Sequence, residues 1–302
     1  MYKKKYTIII PHHNCLDKLQ RGLESIPLRN DIQIIVVDDA STNVTRKEWN
    51  VFQSRNPQIE LVFNQENKGP GAARNTALNG LVIGEWLLFM DADDQYVDGA
   101  FDILDQFVNS EFDLIYFNAN RMFADGKVSQ YDWLTKLTDN AVHNNADIDE
   151  LKYLFTAPWN KMTRTYLVQN NNIRFENVFF GEDVIFSVIV GYLAKNICLI
   201  TEPLYNYSYS ETGLAHLSKN RNWEWYKKDF CRRMAFHHFL KLVGHEDWEP
   251  HHIISCFFMI KNRHQMGESW KQSLVSLFAL LYILINPFLN RNYIVKKIET
   301  CK

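Results

Sequence analysis

The sequence predicts an α/β protein: a mainly parallel sheet flanked by helices, followed by a helical C-terminal region. Three observations carry that prediction. Apolar runs and amphipathic stretches alternate through the first hundred residues. The runs show no polar alternation, so they read as strands covered on both faces. Polar residues end three of them, at 11–14 ("PHHN"), 38–42 ("DDAST") and 91–94 ("DADD"), and a parallel sheet would bring those ends to one edge.

"YTIIIP" opens the chain as a β-branched strand. Leu16, Leu19, Leu23 and Ile26 in "LDKLQRGLESI" repeat at helical spacing. "IQIIVVDD", "IELVFN" and "EWLLFMDADD" are further strands, separated by the helices "VTRKEWNVFQSR" and "GAARNTALNGLV". The second of these helices opens after Gly69-Pro70-Gly71. Beyond Asp98 the texture changes. "GAFDILDQFVNS" reads as an amphipathic helix, "FDLIYFNANRMF" as a strand and "GKVSQYDW" as a turn with an extended excursion. "DELKYLF", "TRTYLVQNN" and "EDVIFSVIVGYLA" read as helices, "NICLITEPLYNYSYS" as a strand, and the chain from Asn222 as mostly helical. Boundaries fall near Asp98 and near Ser218–Asn222.

Composition is that of a globular protein, with 46% hydrophobic and 23% charged residues among 302. With 33 Lys and Arg against 35 Asp and Glu, no basic field argues for nucleic acid. The 14% aromatic content suits either a cleft for ring-shaped ligands or a large core. Five scattered cysteines (15, 198, 231, 256 and 301) contain no CxxC pair, which points to reduced thiols and a cytoplasmic setting. "MYKKKYTIIIPHHN" has too short an apolar run for a signal peptide and reads as a first strand.

The carboxylates carry the chemistry. Asp38 and Asp39 suit a turn or helix cap, helped by Ser41 and Thr42, or an acceptor for a base or ribose. In "NKGPGAARN" the helix start could hold a diphosphate, with Arg74 beside it; a plain turn with Arg74 in a surface ion pair explains the same residues. Asp91 and Asp93, two apart in extended chain, share a face and suit Mg²⁺ or Mn²⁺. Glu182 and Asp183 open an apolar helix, either as dipole partners or with Asp183 as a general base.

Together and in this order, "TIIIPHHN", "IIVVDDAST", "NKGPGAARN", "WLLFMDADD", "APWNKMTRTYL" and "FGEDVIFS" resemble the family 2 glycosyltransferases of GT-A (Rossmann-like) fold, over roughly residues 6 to 215. The resemblance implies an inverting transferase that uses a nucleotide-sugar, often a UDP-sugar, and acts on a saccharide or lipid-linked acceptor in surface-polysaccharide synthesis. It implies that Pro11, His13 and Asn14 wall the nucleotide, Asp39 binds the base, Asp91 and Ala92 lie by the ribose, and Gly69 and Arg74 lie near the nucleotide or diphosphate. Asp93, with Asp91, would hold Mn²⁺ or Mg²⁺. Asp183 would be the base, and Trp159, Asn160, Lys161 and Glu182 would line the cleft. It divides the chain into a nucleotide-sugar-binding half (1–98), an acceptor-binding half (99–218) and a C-terminal helical region (219–302). One departure is the arginine and serine that the family often carries after its "YxY" strand; Ser208 and Gly213 stand there. His216 is a candidate for the metal or diphosphate. Adjacent histidines such as His12-His13 point to different faces and chelate poorly. A catalytically silent binding scaffold and a nucleotidyltransferase are the competing classes. Both Asp93 and Asp183 are present, against the first, and the Glu-Asp pair and "WNK" stand against the second.

The C-terminal apolar stretch is cut by Asn286-Pro287 and falls short of the ~20 residues that span a bilayer. A buried helix and an interfacial one both fit. The second would touch the inner membrane face through residues 270–300, with Arg291, Lys296 and Lys297 towards anionic headgroups.

Overall fold

β1 (Lys4–His12) lies between two parallel neighbours, β2 (Ile32–Asp38) and β4 (Gly84–Phe89), with Ile8 opposite both Ile34 and Leu88. That central position is why "TIIIP" needs no polar alternation. In this computed structural model the described residues are 4–143, 148–178 and 181–209, with 236, 239–245 and 248. The other strands are β3 (Ile59–Phe63), β5 (Gln95–Tyr96), β6 (Leu114–Met122), β7 (Val128–Gln130), β8 (Lys161–Arg164) and β9 (Ile197–Ser208). Their order is β3-β2-β1-β4-β8-β6-β9-β5, with β7 on β6. β8 runs antiparallel to both β4 and β6, so β6 and its parallel partner β9 point the same way as β4.

The first crossovers are α1 (Leu16–Glu24), α2 (Arg46–Arg55) and α3 (Pro70–Leu78). α2 starts on a capping box: the Thr45 hydroxyl accepts the Glu48 N–H and the Glu48 carboxylate accepts the Thr45 N–H, worth about 1 kcal/mol. Then come α4 (Ala100–Leu104), α5 (Asp132–His143), α6 (Ile148–Leu154), α7 (Thr165–Asn170) and α8 (Asp183–Leu193).

Three expectations change. The helix expected from Gly99 to Ser110 is one short α-helix followed by a single 3-10 turn at Asp105–Phe107. The excursion after "GKVSQ" contains α5, whose Leu134, Leu137 and Ala141 are buried. The four residues before α7 form strand β8 and are buried throughout. Arg164 in β8 is tolerated there because its guanidinium lies 4.0 Å over the Trp86 ring and donates to the Phe112 carbonyl at 3.0 Å.

The chain forms two compact units, Met1–Ser210 and Glu211–Lys302. No helix among the described residues is long and apolar enough to cross a membrane. Residues 270–300 and His216 lie outside the described residues.

Candidate functional site

The carboxyl ends of β1, β2, β4, β6 and β9 meet at one edge, and the antiparallel β8 delivers its first residues there. Two clusters form on this edge.

The first joins the ends of β1 and β2 to the head of α3. Asp38 is buried and accepts from His12 Nδ1 at 2.9 Å and from the Ser41 N–H at 3.2 Å. Cys15 N–H donates to His12 Nε2 at 3.2 Å, which places the His12 proton on Nδ1. Burial alone would raise the Asp38 pKa; the His12 and Ser41 hydrogen bonds outweigh it and hold it low. Asp38 is therefore the turn-forming member of the pair. Asp39, also buried, accepts from the Lys68 and Gly69 amides at 3.0 and 2.7 Å and from Asn64 Nδ2 at 2.8 Å. Gly69 can cap α3 this way because its φ is +90°. His13 Nδ1 donates to the Asp39 carbonyl at 2.9 Å, and its Nε2 faces the Asn14 and Asn67 amides at 3.0 and 3.1 Å. Asn14 takes a left-handed φ of 56° and accepts from the Thr42 and Asn43 amides at 2.8 and 3.2 Å. Pro11 lies one residue before the end of β1, partly exposed.

The second cluster surrounds "DADD". Asp91 and Asp93 do not share a face of extended chain as expected. β4 ends at Phe89, and residues 91–94 form a tight turn closed by Asp94 N–H to the Asp91 carbonyl at 3.0 Å. The three carboxylates diverge. Asp91 meets Arg74 Nη2 at 2.5 Å, Asp93 meets Lys18 Nζ at 3.2 Å, and buried Asp94 accepts from the Tyr205 hydroxyl and the Ser208 amide, each at 2.7 Å. Burial, then the Asp91 and Asp93 charges, push the Asp94 pKa well up. Ala92 is buried in the same turn.

Arg74 is not in a surface ion pair. It is 2% exposed and bridges Asp91 to Glu182, whose Oε1 accepts from Nη1 at 2.9 Å. Burial opposes its charge, but Asp91, Glu182 and Asp183 outweigh burial and keep it protonated. Its guanidinium carbon stands 5.1 Å from the centre of the Phe175 ring, which stacks on Phe186 of α8 at 4.1 Å. Gly71 allows this approach: a Cβ there would lie 2.7 Å from Glu182 Cγ and 2.6 Å from the Glu176 carbonyl oxygen.

Asp183 begins α8 and is partly exposed. Its pKa is raised to about 7, first by desolvation and then by the Glu182 charge, with Arg74 and Lys161 pulling it back. Lys161 is 1% exposed, and its ammonium has no hydrogen-bond partner; it lies 5.3 Å from the Tyr116 ring centre. Burial lowers its pKa to about 7, against the Asp183 charge. Asn160 is fully buried, with neither amide atom bonded. Trp159 stacks on Tyr205 and Tyr207, with centroids 4.9 and 5.6 Å apart.

The structure thus joins Arg74, Asp91, Glu182 and Asp183 in one charged network with Lys161 behind it. Asp39, His13, Asn14 and Gly69 form a separate hydrogen-bonded group. Lys18, Tyr205 and Tyr207 also belong to this edge and were not anticipated. The period-two tyrosines of "YNYSY" were the available signal for the last two.

Asp91 and Asp93 fit a divalent cation by donor chemistry. Both are hard oxygen ligands, each is about one-third exposed, and each is engaged through only one carboxylate oxygen. No group of three His, Cys, Asp or Glu side chains among the described residues forms a closed cage. Mg²⁺ and Mn²⁺ accept such sparse sites, completing their shells with water and substrate phosphates.

Comparison with known proteins agrees with this geometry. Residues 7–171, more than half of the chain, match the family described as "Glycosyl transferase family 2". "Glycosyltransferase GlyA" of Streptococcus pneumoniae is 27% identical, with 70% of this chain and 32% of that protein covered. "Poly(ribitol-phosphate) beta-glucosyltransferase" of Bacillus spizizenii is 26% identical, with 71% and 33% covered. The chain therefore spans about a third of the length of these two relatives. "Putative glycosyltransferase EpsH" of Bacillus subtilis is 23% identical and is covered over 81% of its length, with 85% of this chain. Among solved structures, S. aureus TarS 1-349 in complex with UDP-GlcNAc superposes with a TM-score of 0.61 at 18% identity, covering 98% of this chain and 89% of that one. The mannosyltransferase PcManGT of Pyrobaculum calidifontis, in complex with GDP-Man and Mn²⁺, gives 0.55 at 14% identity, covering 100% and 86%. The fold is that of the GT-A glycosyltransferases, and the chain belongs to glycosyl transferase family 2.

Proposed function

We propose that the chain is an inverting glycosyltransferase that moves a sugar from a nucleoside-diphosphate sugar, a UDP-sugar on this reading, to a hydroxyl of a saccharide or lipid-linked acceptor in surface-polysaccharide synthesis. One observation carries the proposal: Asp183, whose pKa is raised to about 7, stands beside Glu182, which Arg74 bridges to Asp91 at the start of the "DADD" turn. A base of that strength can take a proton at neutral pH. The UDP-GlcNAc complex of TarS supports the donor class, and the name poly(ribitol-phosphate) beta-glucosyltransferase of one relative supports a polymeric, hydroxyl-bearing acceptor.

In this reading Asp183 removes the acceptor hydroxyl proton as that oxygen attacks the anomeric carbon. The bond to the diphosphate oxygen breaks on the opposite face, and a single displacement inverts the centre. Asp93, with Asp91, would hold Mn²⁺ or Mg²⁺, which when bound supplies charge stabilisation to the leaving diphosphate. Pro11, His13, Asn14 and Asp39 form the nucleoside side, Gly69, Arg74 and Ala92 lie between it and the diphosphate, and Trp159, Asn160, Lys161 and Glu182 form the acceptor side. The halves 1–98 and 99–218 take these two roles, with 219–302 as a helical extension. The free thiols of Cys15 and Cys198 fit work in the cytoplasm, with membrane contact through residues 270–300.

Titration of a nucleoside-diphosphate panel, with and without Mn²⁺, tests this on the wild type and on Asp93→Ala. One diphosphate should bind with Mn²⁺ and lose its metal dependence in the variant. Asp183→Asn should keep that binding and lose sugar transfer by about 10²–10⁴-fold. Failure of the wild type to bind any nucleotide favours the silent scaffold.

A further inference from the structure

The "DADD" turn is anchored by backbone on either side and tied along its length to β9. Before it, the Met90 N–H donates to the Ile9 carbonyl of β1 at 3.1 Å. After it, β5 pairs antiparallel with β9, Gln95 opposite Asn206 and Tyr96 opposite Tyr205. The Tyr205 hydroxyl then reaches back into the turn in two ways. It accepts the Asp91 N–H at 3.0 Å and donates to Asp94 Oδ2 at 2.7 Å. The Ser208 N–H donates to Asp94 Oδ1 at 2.7 Å, and the Ser208 hydroxyl donates to the Asp93 carbonyl. Every carboxylate-bearing residue of the turn is therefore bonded to β9. From another side α1 closes in at Gly22, where a Cβ would lie 2.8 Å from the Asp94 carbonyl oxygen.

A turn of this kind needs none of these side-chain bonds. The Asp94 N–H to the Asp91 carbonyl already closes it. A carboxyl buried as deeply as Asp94, 1% exposed, is costly unless hydrogen bonds satisfy it. The Tyr205 ring is itself fixed, stacked on Trp159 at 4.9 Å and edge-on to Tyr96 at 5.4 Å. What this arrangement sets is the direction in which Asp91 and Asp93 leave the turn. Arg74 and Lys18 each take one oxygen of these two carboxylates. Cations that bind hard oxygens octahedrally, Mg²⁺ above all, demand ligands placed close to the ideal geometry.

We propose that Tyr205, assisted by Ser208, is the positioning residue of this turn: it fixes the main chain and Asp94 so that Asp91 and Asp93 are presented together to a divalent cation on the donor's diphosphate. The inference rests on the transferase reading above. Groups that hold a metal's ligands in place typically contribute about ten- to a hundredfold to metal affinity.

The test is calorimetric titration of the full chain with UDP, once with Mn²⁺ and once with EDTA, with GDP run alongside as the alternative diphosphate. The ratio of the two affinities is the metal gain. Tyr205→Phe keeps the ring stack and removes the hydroxyl. It should lower the metal gain about tenfold and leave the metal-free affinity close to that of the wild type. Ser208→Ala keeps the backbone donor to Asp94 and loses the bond to the Asp93 carbonyl, so the gain should fall in the same direction by a smaller factor. If circular dichroism shows that Tyr205→Phe does not fold, Ser208→Ala decides alone. An unchanged metal gain in the folded variants overturns the inference. So does an equal loss with and without Mn²⁺, which would make Tyr205 a packing residue and nothing more. The wild type separates the two layers. If it shows a metal gain that the variants keep, only the positioning role falls; if its nucleotide binding ignores Mn²⁺, the metal reading falls with it.

Discussion

Titration of Asp183 offers the sharpest check on the catalytic reading, and Glu182→Gln is the perturbation that isolates it. The Asp183 carboxyl is raised to about 7, by desolvation first and by Glu182 second. A base must be ionised to act, so activity should be lost as pH falls through that value. With a midpoint at about 7, roughly a tenth of the molecules carry the base at pH ~6 and roughly nine tenths at pH ~8. The expected rise in kcat/KM across that interval is about tenfold. An ordinary aspartate would be fully ionised throughout and give a flat profile. Glu182→Gln removes the neighbouring charge and keeps an oxygen for Arg74 Nη1 to meet. Adjacent carboxylates at an effective dielectric of ~20 interact by about 1.5–3 kcal/mol, equivalent to about one to two pH units. The acidic limb should therefore move down by that amount. The assay is initial-rate transfer at limiting acceptor and saturating donor, from pH ~5 to ~9. A wild-type midpoint below about 5 would refute the reasoning, and so would an upward shift in Glu182→Gln.

Other expectations follow from the packing. Lys161→Met should raise stability by about 1–4 kcal/mol, because it replaces a buried unpaired amine with an apolar chain of similar length. The Lys161 folded-state pKa is depressed from 10.5 to about 7, so the penalty is full below about 7 and fades as pH rises towards 10.5; thermal melts across that range should show the gain shrinking. Gly71→Ala should cost about 1–3 kcal/mol by overpacking, since its Cβ would meet Glu182 Cγ at 2.7 Å; urea denaturation measures it. Arg74→Leu leaves Asp91 and Glu182 facing each other without their cation, and should cost about 3–5 kcal/mol in the same assay.

The strand ends were legible because each uninterrupted apolar run stops at its polar tail: "TIIIPHHN", "IIVVDDAST" and "LLFMDADD" announce both a buried strand and its active edge. β8 was hidden by its own residues. "KMTR" carries two cations, and its last two residues read as the start of the helix "TRTYLVQNN". Only a ring from β4 and a carbonyl near β6, 78 and 52 residues earlier, make Arg164 a buried residue. α5 was obscured by Thr and Asn in its sequence, which weaken the helical signal although its leucines are buried. Arg74 was marked as unusual by its place in a helix's first turn. Its burial depends on Asp91 and Glu182, 17 and 108 residues away, and no local pattern reports contacts at that range. The same holds for "DADD": the cluster was visible, but the turn that sends each carboxylate to a different partner was not.

The reversed direction of β8 has a consequence for how this architecture can diversify. A strand entering the sheet against the grain begins towards the end where its neighbours finish, so Lys161 at the start of β8 stands opposite Tyr116, and β6 runs on beyond it to Met122. The stretch between Met122 and Lys161 turns back along β6 as β7, then leaves the sheet and returns to it at a fixed anchor point, carrying α5 and α6. Such a tethered insert can lengthen, shorten or change composition at the modest entropic cost of loop closure, without disturbing the register of the strands beneath. Tyr131 and Trp133 belong to it. Selection could therefore retune what the rim grips from one descendant to the next, while Asp91, Arg74 and Asp183 stay fixed on the frame.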